Sequence, residues 1–225
     1  MVEFAHDAQD LIDGYRRFRA NRYREARDLF QRLRDGQSPA TMIIACADSR
    51  ADPAMIFDAA PGELFTVRNV AALVPPYEES GGLHGVSAAL EFGVRHIKVK
   101  QIVVMGHGGC GGIAASLAAA DHRPVGRFIA PWVEIAADAR DAVLNDPAIP
   151  RSNWQEAVEH GAVGKSIANL LSFPFVRDAC ESGELEINGA WFSIGRGELQ
   201  WRNPATGAFT VVAAEDPATD QDNKL

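Results

Sequence analysis

Two short segments carry the residue types that could do chemistry: Cys46-Ala47-Asp48-Ser49-Arg50 and His107-Gly108-Gly109-Cys110-Gly111-Gly112. Each follows an apolar run, Met42 to Ala45 in one case and Ile102 to Met105 in the other. Two thiols and one imidazole suit zinc, and three protein ligands leave its fourth tetrahedral position open, as in a catalytic rather than a structural site. Two thiolates already offset the 2+ charge, so they acidify a bound water less than neutral ligands would, and a polar group must help. Asp48 stands two residues after Cys46, and the neighbouring Arg50 would keep its carboxylate ionised. Asp48 can accept a hydrogen bond that orients a hydroxide, or swing into the fourth position itself. Arg50 competes with the metal for Asp48, so the pair would act as a gate. The glycines after His107 let a loop pass close to an ion. Cys110 precedes a helix whose dipole would favour its thiolate.

Other chemistries are open to the same residues. Cys110 could be a nucleophile with His107 as its base, although Cys46 and Asp48 would then have no role. A structural or sensory zinc would require Asp48 to hold the fourth position permanently.

The elements that must position these residues follow from periodicity. Residues 8–35 read as two helices or one broken helix, an arm that packs on its own subunit or lies across a partner. Short apolar strands at 41–46, 64–67 and 101–105 alternate with helical stretches. The helical stretches begin at Asp52-Pro53, after Ser80 and its two glycines, and at Ile113 to Ala119. Further helical patterns occupy 126–145 and 153–171, with Leu170 and Leu171 directed toward the core and His160 on the helix surface. A short helix begins at 173–176, and Cys180 near its end reads as a structural thiol. The tail then turns β-prone at 185–187, 190–194, 199–202 and 209–212. The expected fold is α/β: a central, mostly parallel β-sheet flanked by helices, with an N-terminal helical arm and a C-terminal β-rich extension. The expected regions are an arm at 1–35, a catalytic domain at 36–214 and a polar tail at 215–225. Ligands of such sheets lie beyond the carboxyl ends of the strands, where Cys46 and His107 fall.

Composition excludes several classes. The 225 residues and 47% hydrophobic content support one substantial core. A net charge of -8 argues against nucleic acid, which needs clustered Lys and Arg. No run approaches the roughly 18 apolar residues of a membrane span. The start, Met1 to Asp7, does not read as a secretory signal. Three cysteines, two of them in the motifs, fit a reducing, cytoplasmic compartment better than a disulfide framework.

The two motifs resemble the metal-binding segments of the β-class carbonic anhydrases. The likeness extends to Gly36-Gln37-Ser38-Pro39, Pro61-Gly62-Glu63, Arg68-Asn69-Val70-Ala71, Val74-Pro75-Pro76, Pro174-Phe175-Val176 and Gly189-Ala190-Trp191-Phe192. It implies one zinc per chain held by Cys46, His107 and Cys110, with a hydroxide attacking carbon dioxide to give bicarbonate. It implies an Asp48–Arg50 gate and a homodimer or higher homo-oligomer. The chain looks most like the plant-type subgroup, in which Gln37, from the neighbouring subunit, and Phe65 would line the substrate pocket. Phe92 stands at the position of a second pocket aromatic, usually Tyr, and core packing is the better reading for it. Another subgroup builds an inhibitory bicarbonate site with a Trp where this chain has Ile43, so none is expected here despite Arg68. His96 matches a position able to pass protons to solvent, whereas His84 reads as a loop residue. The same site could also hydrolyse carbon disulfide or carbonyl sulfide.

Overall fold

The alternation of apolar and turn residues builds one six-stranded sheet. The computed structural model describes residues 7–80 and 82–213, so the polar tail expected at 215–225 lies outside the described residues, as does part of the arm. The strands are β1 (Thr41–Cys46), β2 (Leu64–Asn69), β3 (Gln101–His107), β4 (Glu186–Ser193), β5 (Glu198–Arg202) and β6 (Phe209–Val211). Their spatial order is β2-β1-β3-β4-β5-β6. The first four are parallel, and β5 and β6 add antiparallel to β4.

Side-chain alternation sorts the two central strands between two cores. Met42, Ile44, Ile102 and Val104 pack with Leu90, Val163 and Leu170 on one face. Ile43, Ala45, Val103 and Met105 pack on the other, against Phe57, Leu199 and Trp201 among others. Both faces are covered, which is why β1 and β3 read as unbroken apolar runs.

Several elements differ from the sequence expectation. β3 continues through His107, two residues past its apolar run, because pairing with β4 extends to His107 opposite Phe192. The following helix begins at Gly111, with Cys110 as its N-cap. The pieces read at 185–187 and 190–194 are one strand, β4, seated beside β3 in the main sheet. Leu171 is exposed, since the helix Trp154–Leu170 ends at Leu170, which takes the core position alone. His160 does not lie on an open helix surface. Its ring stacks on Phe209 at 4.2 Å and meets Trp191 edge-on at 4.8 Å.

The arm is a broken helix, as its pattern predicts: Ala8–Ala20, Arg22–Glu25 and Arg27–Arg32, interrupted at Asn21. None of its described residues is buried within the chain, and Leu11, Ile12, Tyr15 and Phe18 stand exposed.

The segment after β2 is stapled to the helix Trp154–Leu170. Ser166 Oγ accepts from Val74 N at 3.2 Å, and Asn169 Nδ2 donates to Val74 O at 2.7 Å. Leu73 and Val74 are fully buried, so no solvent can replace these bonds. Asn169→Ala is therefore expected to lower stability by about 1–3 kcal/mol, the penalty of orphaning a buried carbonyl. A urea denaturation midpoint equal to wild type would contradict this.

Candidate metal centre

The two chemistry-bearing loops meet at the carboxyl ends of β1 and β3. Cys46 ends β1, His107 ends β3, and Cys110 caps the helix Gly111–Ala120. They are 6%, 1% and 2% exposed. One ligand atom from each lies within 4.8 Å of the others, and this trio could hold a metal ion. The sulfurs are 3.9 Å apart, against about 3.8 Å for two thiolates on a tetrahedral zinc with bonds of about 2.3 Å.

His107 is oriented for ligation. Its Nδ1 lies 3.0 Å from the Gly108 carbonyl, which can only accept, so Nδ1 carries the proton. Nε2 is left as a lone pair, buried and without a protein partner. Buried polar atoms are nearly always satisfied, so this one points to a ligand.

The thiols form a coupled pair. A hydrogen bond from Cys110 pulls the Cys46 thiol down to about 4 against the cost of burial, helped by His107 and backbone amides. The same bond, with burial, pushes the Cys110 thiol up. The helix dipole does not, by itself, make Cys110 the thiolate of the pair. Ala71 N donates to Cys46 Sγ at 3.4 Å. That amide is aimed by a strained turn: Ala71 and Ala72 have φ of 65° and 55°, which costs a non-glycine residue about 1–2 kcal/mol each. Asn69 holds the turn closed, its Oδ1 accepting from Leu73 N and its Nδ2 donating to Leu73 O, both at 2.9 Å. Gly112 lies so close that an added Cβ would stand 2.8 Å from Ala71 Cβ, which explains the glycine.

Asp48 and Arg50 form the open rim. Arg50 Nε donates to Asp48 Oδ1 at 3.0 Å and Arg50 Nη2 to Oδ2 at 2.7 Å. This fork holds the Asp48 carboxyl well below the usual carboxylate range. Asp48 Oδ2 is 3.9 Å from His107 Nε2, beyond the about 3.3 Å expected between two ligands of one tetrahedral zinc with bonds near 2.05 Å. Arg50 also reaches the Gly109 carbonyl at 3.4 Å, tying the first loop to the second.

The structure does not bring every expected residue to this trio. In the β1–β2 register Asn69 lies opposite Cys46, whereas Phe65 lies opposite Met42. Phe65 is thus four residues back along the strand, about 13 Å at 3.3 Å per residue. Phe92 is 5.9 Å from Phe65 between ring centroids, and His96 stacks on Phe92 at 5.4 Å. Phe92 is 50% exposed, so it is not a core residue. Gln37 is exposed in the turn before β1.

Three supporting groups were not legible as such. Arg68 donates to the carbonyls of Cys46 at 2.9 Å and Asp48 at 2.6 Å and pairs with Asp52 at 2.7 Å, pinning the first loop from β2. Glu159, with Gln155, bonds the Cys110 backbone, and its other oxygen accepts from Trp191 Nε1. Burial pushes the Glu159 carboxyl up, against the pull of these donors. The available signal was Glu159 itself, a carboxylate in register with the buried stripe of Ala162, Val163, Ser166 and Leu170.

A family model described as carbonic anhydrase matches residues 41–199. The chain is 36% identical over 195 residues to beta carbonic anhydrase 3 of Arabidopsis thaliana, covering 85% of this chain and 75% of that one. The chain belongs to the β-class carbonic anhydrases. It is a carbonate dehydratase, catalysing the reversible hydration of carbon dioxide to bicarbonate and a proton. Among solved structures, the β-carbonic anhydrase CcaA superposes with a TM-score of 0.85 at 28% identity, covering 91% of this chain and 98% of that one. A Coccomyxa β-carbonic anhydrase, solved with acetazolamide, gives 0.74 at 26%, covering 88% and 86%. One of two tetrameric β-carbonic anhydrases from Sordaria macrospora gives 0.70 at 27%, covering 90% and 98%. In this carbonic anhydrase the Cys46-His107-Cys110 cluster has the composition and spacing of a β-class zinc site.

Zinc added to the reduced, metal-free protein is expected to shield two of its three thiols, Cys46 and Cys110, from a disulfide reagent and leave the Cys180 reactivity unchanged. Shielding of one thiol or none would remove the trio as a metal centre.

Proposed function

We propose that this carbonic anhydrase holds one zinc per chain on Cys46 Sγ, His107 Nε2 and Cys110 Sγ. The observation that carries this assignment is the buried, partnerless His107 Nε2 facing two thiols at tetrahedral spacing. Zinc bound there supplies Lewis acidity that lowers the pKa of a water toward roughly 7. The protein supplies the rest. Asp48 stays ionised because Arg50 neutralises it, so it remains an acceptor and orients the attacking water toward carbon dioxide. Arg50 in turn restrains Asp48 from moving onto the metal, which makes the pair a gate.

Gln37, Phe65, Phe92 and His96 serve the site of a neighbouring subunit. Phe65 is too far along β2 to reach its own chain's trio, yet Phe65, Phe92 and His96 form one cluster whose outer part is exposed. The partner's Gln37, Phe65 and Phe92 would then wall the substrate pocket, and the partner's His96 would pass protons to solvent. The apolar face of the arm, with Leu11, Ile12, Tyr15 and Phe18, and the unpaired edge of β2 support a homodimer or larger assembly. The thiols that must stay reduced suit a cytoplasmic location. No helix among the described residues is long and apolar enough to cross a membrane.

Two outcomes test this reading. The Asp48–Arg50 pair is present above the ordinary carboxylate pKa near 4 and is lost only as pH falls below it, so Asp48 does not titrate between pH 6 and 9. Stopped-flow hydration should therefore rise with pH over that range as the water ionises. Arg50→Ala, which frees Asp48 to compete for the metal, should be at least tenfold slower throughout; a wild-type rate in this variant would sink the gate. The second outcome concerns assembly. Gln37→Ala should cut turnover while leaving zinc content intact, and sedimentation should find the active species dimeric or larger. A fully active monomer would refute the shared pocket.

A further inference from the structure

The helix Trp154–Leu170 runs beneath the ends of β3 and β4. Its buried residues are apolar or small apart from Asn169 near its C-terminal end and Glu159, a carboxylate 3% exposed where the helix passes the metal centre. A carboxylate in that position costs several kcal/mol in lost hydration unless donors replace the water. Three donors do. Cys110 N donates to Oε1 at 2.8 Å, Gln155 Nε2 donates to Oε1 at 2.7 Å, and Trp191 Nε1 donates to Oε2 at 3.1 Å. None of these groups is a cation, so Glu159 is not half of a buried ion pair.

The pattern of the bonds is specific. Gln155 Nε2 also donates to Cys110 O at 3.0 Å. The N–H of Cys110 is thus held by Glu159 and its C=O by Gln155, one helical turn earlier. Both main-chain groups of a candidate zinc ligand are gripped from one helix. The other oxygen of Glu159 extends the grip to Trp191. The indole lies against the same loop, where a Cβ at Gly108 would stand 3.1 Å from Trp191 Cζ2. Gly108 N donates to the Phe192 carbonyl at 2.9 Å, which anchors the loop to β4 beside Trp191.

We propose that Gln155 and Glu159 are positioning residues that lock the Cys110 peptide, and with it the Cys110 sulfur, in the geometry that retains zinc. This rests on the ligand assignment made above. The physical basis is that a ligand side chain has few rotatable bonds between its Sγ and its backbone. Fixing the peptide therefore fixes the sulfur before the metal arrives, so less ordering remains to oppose binding. A leucine at 159 would fill the space more easily, but it would leave the Cys110 N–H and the Trp191 indole unpaired in the core.

The test measures metal release. Zinc-loaded wild type and variants are mixed with excess chelator, and cobalt-substituted samples are read at the thiolate-to-cobalt charge-transfer band. Glu159→Leu, which keeps the volume and removes both acceptors, should release zinc 10- to 100-fold faster and shift the band. Glu159→Gln keeps one carbonyl oxygen for Cys110 N–H but opposes an amide to Trp191, so it should fall between Glu159→Leu and wild type. Gln155→Ala should accelerate release severalfold. Val176→Ala, a cavity-forming change in the distant helix Pro174–Glu181, controls for lost stability and should release zinc at the wild-type rate. If Glu159→Leu fails to fold, Glu159→Gln and Gln155→Ala decide the matter. Wild-type release and an unshifted band in the folded variants overturn the clamp alone. A wild-type protein that takes up no zinc overturns the ligand assignment and the clamp together.

Discussion

Three polar side chains buried at the junction of two parallel strands impose the constraint that organises this enzyme. Cys46, His107 and Cys110 are drawn together by the β1–β3 pairing and by the helix that opens at Gly111. The protein satisfies only part of their bonding capacity. Backbone amides reach the sulfurs, the Gly108 carbonyl takes His107 Nδ1 and the two thiols touch, while Nε2 is left without a hydrogen-bond partner. An apolar core would be easier to fold. An ion would complete that satisfaction, and the spacing of the sulfurs fits the tetrahedral coordination of zinc.

Because the ligands stand at the last residues of two strands and at a helix cap, where the chain enters loops, their precision depends on groups one layer out. Arg68 collects the carbonyls of the first loop from the side of β2. Asn69 closes a turn whose two left-handed alanines would otherwise relax, and so keeps an amide on Cys46. On the other side Gln155 and Glu159 hold the Cys110 peptide. Each of these groups is attached to a strand or a long helix. The loops therefore inherit the rigidity of the sheet, although five of the chain's glycines fall in the seven residues from Gly106 to Gly112 that carry two of the ligands.

Much of this was legible in the sequence, and the limits have physical causes. The paired motifs could be read because chemistry demands rare residue types at fixed spacing. The parallel sheet could be read because strands buried on both faces leave unbroken apolar runs. β4 was harder: Gly189 divides its β-prone residues, so one strand of the main sheet read as two pieces of an extension. His160 was misplaced because a helix pattern does not reveal that Phe209, forty-nine residues later, returns to cover it. Glu159 went unnoticed since a charged residue on a helix is ordinarily a solvated one. Only the burial of its neighbours at 162, 163 and 166 shows that it faces inward.

The position of Phe65, opposite Met42 rather than beside Cys46, has a genetic consequence. When a metal site and the walls of its pocket are contributed by different copies, the unit that must stay intact is not the polypeptide. A chain disabled at Cys46 still carries a sound Gln37 and Phe65, and a chain disabled at Gln37 still carries a sound metal centre. Mixed in one dimer of the proposed kind, two inactive alleles would assemble one whole site out of the two. If the proposed dimer shares its pockets in this way, complementation between defective copies of the same gene would follow from a four-residue offset along one β-strand.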